Sequence, residues 1–302
     1  MKGLFINPKA AQCSIYESGI MIYETLKRRY ALDYKEASRF EDIPNGYDFS
    51  VINYHFCTFP MDTSRMNERT GIKVAVVLEM LPNDPFVRVP RNFDEYMVID
   101  PTMKHEDKRV NAFPRPLEEF QVPPYQTQGI PVIGSFGFGT GGKNFHTIVA
   151  QINQEFDRAI FKLNIPTATW GDPDGSVAKA NVKQCIAIAK PGVEIVAAHN
   201  YMTKVALVRW CAANTINCFF YQRDYTGLSA TTDQAISSGR PLLVSECNTF
   251  RHIHQYTTPF PRTTIKRAIT EALPGVQAMK RDWSSENFNR LFAAMLAKHG
   301  LG

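Results

Sequence analysis

Residues 131–145 read PVIGSFGFGTGGKNF. An apolar run breaks into glycines, a lysine follows, and a helical pattern continues through Ile148, Ile152 and Phe156. That order predicts a buried strand, a glycine-rich turn and the start of a helix. Glycines let backbone approach a ligand closely. The first amides of a helix favour an anion, and Lys143 adds a point charge. Two readings stand: a phosphate-binding loop built on Gly137, Gly139, Gly142 and Lys143, or a plain glycine turn. It is no Walker loop, because Asn144 follows the lysine where Ser or Thr belongs. The glycine spacing only approximates a dinucleotide fingerprint and lacks the expected acidic residue on a following strand.

Working outward, strands and helices alternate on both sides of this stretch. Before it, strands are expected at 3–7, 30–34, 49–54, 73–78 and 97–99, with a helix over 15–30. Runs such as AVVL at 75–78 suit parallel strands buried on both faces. Residues 104–128 carry a charge run and then Pro114, Pro116, Pro123 and Pro124, which predicts an irregular crossover and a domain boundary. After it come helices at 145–156, 177–189, 203–213 and 229–238, and strands at 158–163, 193–197, 216–221 and 241–244. Helical patterning resumes around 265–269 and from Trp283, where Asp282 or Ser284 can cap. The fold expected is α/β, two doubly wound Rossmann-like domains facing a cleft. Their bounds are 1–125 and 126–282, with residues 283–302 forming a terminal helix that packs back towards the first domain.

The chain has 302 residues, 44% hydrophobic and 21% charged, which fits a soluble protein of two ordinary domains. No stretch reaches a transmembrane span, and residues 1–14 turn polar too soon for a signal peptide. The formal charge of +5 suits an anionic ligand or a lipid surface but is thin for nucleic acid, which is not expected as a partner. Six scattered cysteines without close pairs suggest reduced core thiols in a cytoplasmic protein and no metal site.

In such a fold, ligands gather at the carboxyl ends of the strands. On that edge fall His55 and Glu79 in the first half, each a candidate base, and His199, Asp224, Thr226 and Gly227 in the second. The turn 245–248 shares it. Each has a plainer reading as a cap, a turn residue or a half-buried side chain. Ser14 with Glu17 reads as a capping box.

The second half resembles the donor-binding half of a GT-B glycosyltransferase. IGSFGFGTGGKNFHTIV matches the family's glycine-bearing turn and helix-opening lysine. YQRDYTGLSATTDQAISSGRPLLVS resembles its acidic residue, Gly-Leu, Glu-Ala and small-Gly-x-Pro strand, and DWSSENFNRLFAAML its Trp-led terminal helix. The resemblance implies a metal-independent, hexosyltransferase-type enzyme that moves sugar from a UDP- or GDP-linked donor to a hydroxyl of a glycan or glycolipid. No cofactor is implied, and a basic face would touch lipid. It places Lys143 on the donor diphosphate, Asp224 at the first acidic position, and the amides of Gly227 and Leu228 beside the donor. The ribose glutamate falls at Gln234, next to Asp233. Either Asp233 takes that role through a bulge, or Gln234 takes it neutrally, or donor use is altered. The arginine that usually precedes the lysine is replaced by glycines and a threonine. Retention is the outcome the family suggests; inversion would use His55 or Glu79 as base. The competing readings are a two-domain nucleotide-sugar epimerase and a noncatalytic nucleotide- or glycan-binding module.

Overall fold

The computed structural model describes residues 1–9, 14–54, 63–78, 92–126, 129–168, 171–223 and 226–301. The expected site positions His55, Glu79 and Asp224 lie outside them.

The chain divides into two units: residues 1–118 with 226–228 and 282–302, and residues 119–225 with 229–281. The sequence expectation had placed the divisions at 125/126 and 282/283.

The first unit holds a six-stranded sheet in the order β2-β1-β3-β4-β5-β6. Its strands are β1 (Lys2–Asn7), β2 (Ala31–Glu36), β3 (Phe49–Tyr54), β4 (Ile72–Val77), β5 (Glu95–Val98) and β6 (Val110–Ala112). All its pairings are parallel. β6 falls in the stretch expected to be irregular. Its three residues, VNA, show no alternation, and only pairing along β5 makes them a strand.

Because successive side chains alternate, Leu4 and Ile6 join one core while Phe5 joins the other. The Phe5 side packs against helix α1 (Ser14–Leu26) and the terminal helix, residues 285–297, through Ile22, Leu26, Phe288 and Phe292. Phe292 meets Tyr30 and Phe49 edge-on, at 5.3 and 5.7 Å between centroids. Asn289 adds a hydrogen bond to the Thr25 carbonyl at 2.9 Å. Gly19 sits where α1 crosses the strand ends; a Cβ there would lie 2.1 Å from Asn7 Oδ1, so no larger residue fits.

The second unit holds a five-stranded parallel sheet, order β11-β10-β7-β8-β9. These strands are β7 (Val132–Phe136), β8 (Ala159–Asn164), β9 (Val193–Ala198), β10 (Ile216–Phe219) and β11 (Leu242–Val244). The helices that follow α1 are α2 (Phe145–Glu155), α3 (Ser176–Ile188), α4 (Lys204–Ala212), α5 (Thr231–Ser237), α6 (Ile265–Glu271) and α7 (Leu273–Asp282). The terminal helix of the first unit is then α8 (Ser285–Ala297). Phe145, Ile148, Val149 and Ile152 of α2 are fully buried against Ile133, Phe161, Ile216 and Leu243 of the sheet. β7 is central, so the glycine-rich turn leaves the middle of the sheet.

Candidate functional site

Since all five strands run parallel, their carboxyl ends share one edge. The turn after β7 carries the backbone demands that its glycines suggested. Gly142 has a φ of +78°. A Cβ on it would lie 2.8 Å from the Gln222 carbonyl, so this position needs glycine for both conformation and space. Asn144 follows in the left-handed region at φ 51°. No side chain caps the start of α2. By contrast, Asp172 fills the start of α3, accepting from Val177 and Ala178 N–H at 2.9 and 2.8 Å. Thr203, Thr264 and Ser284 cap α4, α6 and α8. The α2 terminus therefore keeps the partial positive charge that side chains meet at the starts of α3, α4, α6 and α8.

Lys143 is 8% exposed. Its Nζ donates to Tyr221 Oη at 2.7 Å and lies 3.9 Å from that ring's centroid. The hydroxyl chain continues through Thr231 Oγ1 at 3.1 Å to Ser229 Oγ at 2.7 Å. No carboxylate of the described residues pairs with Lys143. Burial, and secondly the nearby Arg223 charge, hold its ammonium well below the usual lysine range. Burial likewise pushes the Tyr221 phenol up to about 12, so this partner stays neutral.

Arg223 is the residue that the sequence reading missed. It follows β10, yet its guanidinium reaches back to the glycine turn. Nε and Nη2 donate to the Gly141 carbonyl at 2.9 and 2.8 Å, and Nη2 also meets Thr140 Oγ1. Gln222 N–H donates to the Gly142 carbonyl at 2.9 Å, fastening the two loops together. The position before the expected Asp224 was the available signal, but spacing says nothing about which loops meet.

Beside this pair of cations lies a cavity of about 570 Å³. It is lined by Asn144 and Thr147 of the α2 start, residues 220–223, residues 245–248, and Phe260 with Pro261. The turn 245–248 thus borders the site, held there by Ser245 Oγ on the Tyr221 carbonyl at 2.6 Å.

The other expected residues are distributed as follows. Gly137 is at Lys143: a Cβ on it would be 3.4 Å from Nζ. Gly139 abuts the α3 start, 3.2 Å from Ala178 N by the same measure. His199 is exposed just beyond β9, with Nδ1 on the Ile165 carbonyl at 2.8 Å. Asp233 and Gln234 lie in the regular helix α5, Asp233 buried at 5% and Gln234 half-buried. Thr226, Gly227 and Leu228 group with the first unit. Among the described residues no cluster of His, Cys, Asp and Glu is placed to hold a metal ion, and no helix is long and apolar enough to cross a membrane.

Two doubly wound parallel units with an anion-ready turn at the head of the second define the GT-B fold. Solved structures of that fold match nearly the whole chain, beyond the second half that carried the sequence resemblance. Anabaena HepE in complex with UDP superposes with a TM-score of 0.67 at 12% identity, covering 99% of this chain and 100% of that one. Sucrose-phosphate synthase from Thermosynechococcus elongatus gives 0.67 at 10% identity over 99% of each. Trehalose-6-phosphate synthase OtsA gives 0.63 at 8% identity over 99% and 98%. No family model and no curated protein sequence matches the chain.

Proposed function

We propose that the chain is a glycosyltransferase that moves a hexose from a nucleotide-sugar donor to a hydroxyl of a glycan or glycolipid. The observation that carries this reading is the pairing of buried Lys143 with Arg223 at an uncapped helix start. Lys143 on the glycine turn and Arg223, which reaches back to that turn from the loop after β10, form a seat for a diphosphate. HepE, which shares the fold over its full length, was solved with UDP and with UDP-glucose. Arg223 takes the role of the arginine absent before Lys143, so the charge of the departing nucleoside diphosphate is met by the chain's own cations and helix start. Gln234, more accessible than Asp233, is assigned to the ribose. Thr226, Gly227 and Leu228 are assigned to the donor sugar side, with Asp224, and His55 or Glu79 would serve as base in an inverting reaction.

Calorimetric titration of UDP, GDP, ADP and their sugars into the protein and into Lys143→Ala tests the donor site. Binding of one nucleotide by wild type and its loss in the folded variant is expected; no binding by any would sink the proposal. Release of the bound nucleotide's sugar, unaffected by EDTA, separates an enzyme from a binding module. The neutral Gln234 in place of a glutamate is what favours the module as second reading.

A further inference from the structure

Tyr221 is the last residue of the aromatic run FFY at 219–221, just past β10. Its ring packs on Phe250 at 4.9 Å and edge-on to Phe219 at 6.1 Å between centroids. Side chains alternate, so Phe220 turns the other way and stacks on Phe260 at 4.2 Å. Packing alone asks only for another phenylalanine at 221. The residue is 1% exposed, and a hydroxyl buried that deeply costs stability unless it is hydrogen-bonded. Its partners therefore explain it.

Two partners reach the hydroxyl: Lys143 Nζ at 2.7 Å and Thr231 Oγ1 at 3.1 Å. An ammonium only donates, so Tyr221 Oη accepts from Lys143 and gives its own proton to Thr231. This is the hydrogen bond that Lys143 Nζ makes among the described residues, and two of its three N–H groups stay unspent there. The charged and titratable groups around the pair are few. Arg223, from the loop after β10, opposes the ammonium's charge, and Cys247, from the loop after β11, lies near the phenol. The start of α5 brings the neutral hydroxyls of Thr231 and Ser229, and the glycine turn brings Gly137.

We propose that Tyr221 is a positioning residue of the donor site, holding the Lys143 ammonium at the turn with two N–H groups left for the diphosphate. This rests on the donor reading of Lys143. Two effects combine. The hydroxyl, and the ring centroid 3.9 Å from Nζ, hold a long side chain before the ligand arrives, so binding loses less rotamer freedom. The oxygen and the ring also favour the charged lysine against burial and Arg223, which disfavour it. A carboxylate in this place would hold the ammonium more strongly, but its charge would offset the lysine's and repel the phosphates. The phenol, pushed up to about 12 by burial, stays neutral and holds without that repulsion.

Tyr221→Phe tests this, because it keeps the ring and drops the oxygen. Lys143 is titrated by NMR in the empty protein with carbon-labelled lysine. Its midpoint is expected about one pH unit lower in the variant than in wild type. Calorimetry across pH uses whichever of UDP, GDP and ADP wild type binds. The fall in affinity with rising pH is expected to move down by as much, leaving the variant about tenfold weaker above both midpoints. An unmoved lysine midpoint in the folded variant overturns the proposal. So does an affinity loss of the same factor at every pH, the mark of a residue that only braces the loops. Should Tyr221→Phe fail to melt cooperatively, Thr231→Val takes its place. It strips the phenol of its onward acceptor and moves the midpoint the same way; an unmoved midpoint overturns the proposal equally. A wild type that binds no nucleotide sinks the donor reading and this role with it. The lysine titration, read on the empty protein, tells that failure from a failure of Tyr221.

Discussion

At the scale of single residues, the proposed donor site turns on a lysine kept in an unfavourable place. An unfolded lysine near 10.5 holds a proton that buried Lys143 releases at lower pH. The unfolded chain thus binds more protons between those two values, and stability of the empty protein rises with pH across that window. Lys143→Met should remove this rise and melt no lower than wild type at neutral pH, while losing nucleoside diphosphate. Melting curves across pH, with and without UDP, check both. The ammonium is also the form an anion needs, so affinity for UDP should fall as pH climbs through the depressed value. Arg223→Ala should weaken diphosphate binding by about 1.5–3 kcal/mol, the worth of a hydrogen bond to a charged group. Binding of the nucleoside without phosphates should be unchanged; an equal loss for both would show that Arg223 only braces the loop. Lys143 could be singled out in the sequence because a lysine after glycines and before a helical pattern suits an anion, beside the plainer reading of a glycine turn. Arg223 was not, because it comes from another strand and meets the turn only when β7 and β10 pair.

At the scale of elements, pattern and outcome agree where one element decides its own structure. The segment 49–54 was expected as a strand from its apolar run and is one. Of the two residues considered for capping the terminal helix, Ser284 accepts from Asn287 N–H at 3.2 Å. Ser284→Ala should cost about 1 kcal/mol in chemical denaturation, and Phe292→Ala about 3–5 kcal/mol, since its ring fills the aromatic cluster with Tyr30 and Phe49. A loss from Phe292→Ala no larger than that from Ser284→Ala would mean that α8 adds little to the first core. β6 escaped detection for the opposite reason: three residues have no periodicity of their own. β9 was legible as a strand but not as an edge. Its largely apolar sequence suits a central strand as well, and only the sheet order shows that among the described residues it is the last strand on its side.

At the scale of the whole molecule, the first unit is closed by residues distant in sequence. Glu95, 3% exposed, accepts from Asn111 Nδ2 at 2.6 Å, Lys298 Nζ at 3.2 Å and His299 Nε2 at 2.8 Å. Glu95→Ala should lower the unit's stability by about 1.5–3 kcal/mol and quicken hydrogen exchange in the last turn of α8; unchanged exchange there would show that the helix is held by its apolar face alone. The sequence by itself determined the α/β class, the alternation of strands and helices, and the turn that ends in Lys143. Each of these follows from local periodicity and from what glycine and lysine can do. Tertiary structure alone decided that Arg223 reaches the glycine turn, that Asp172 closes one helix start while no side chain caps that of α2, and that among the described residues no strand pairs with the outer side of β9. Those depend on which strands pair and which loops meet, and pairing is settled by side chains packed from far along the chain.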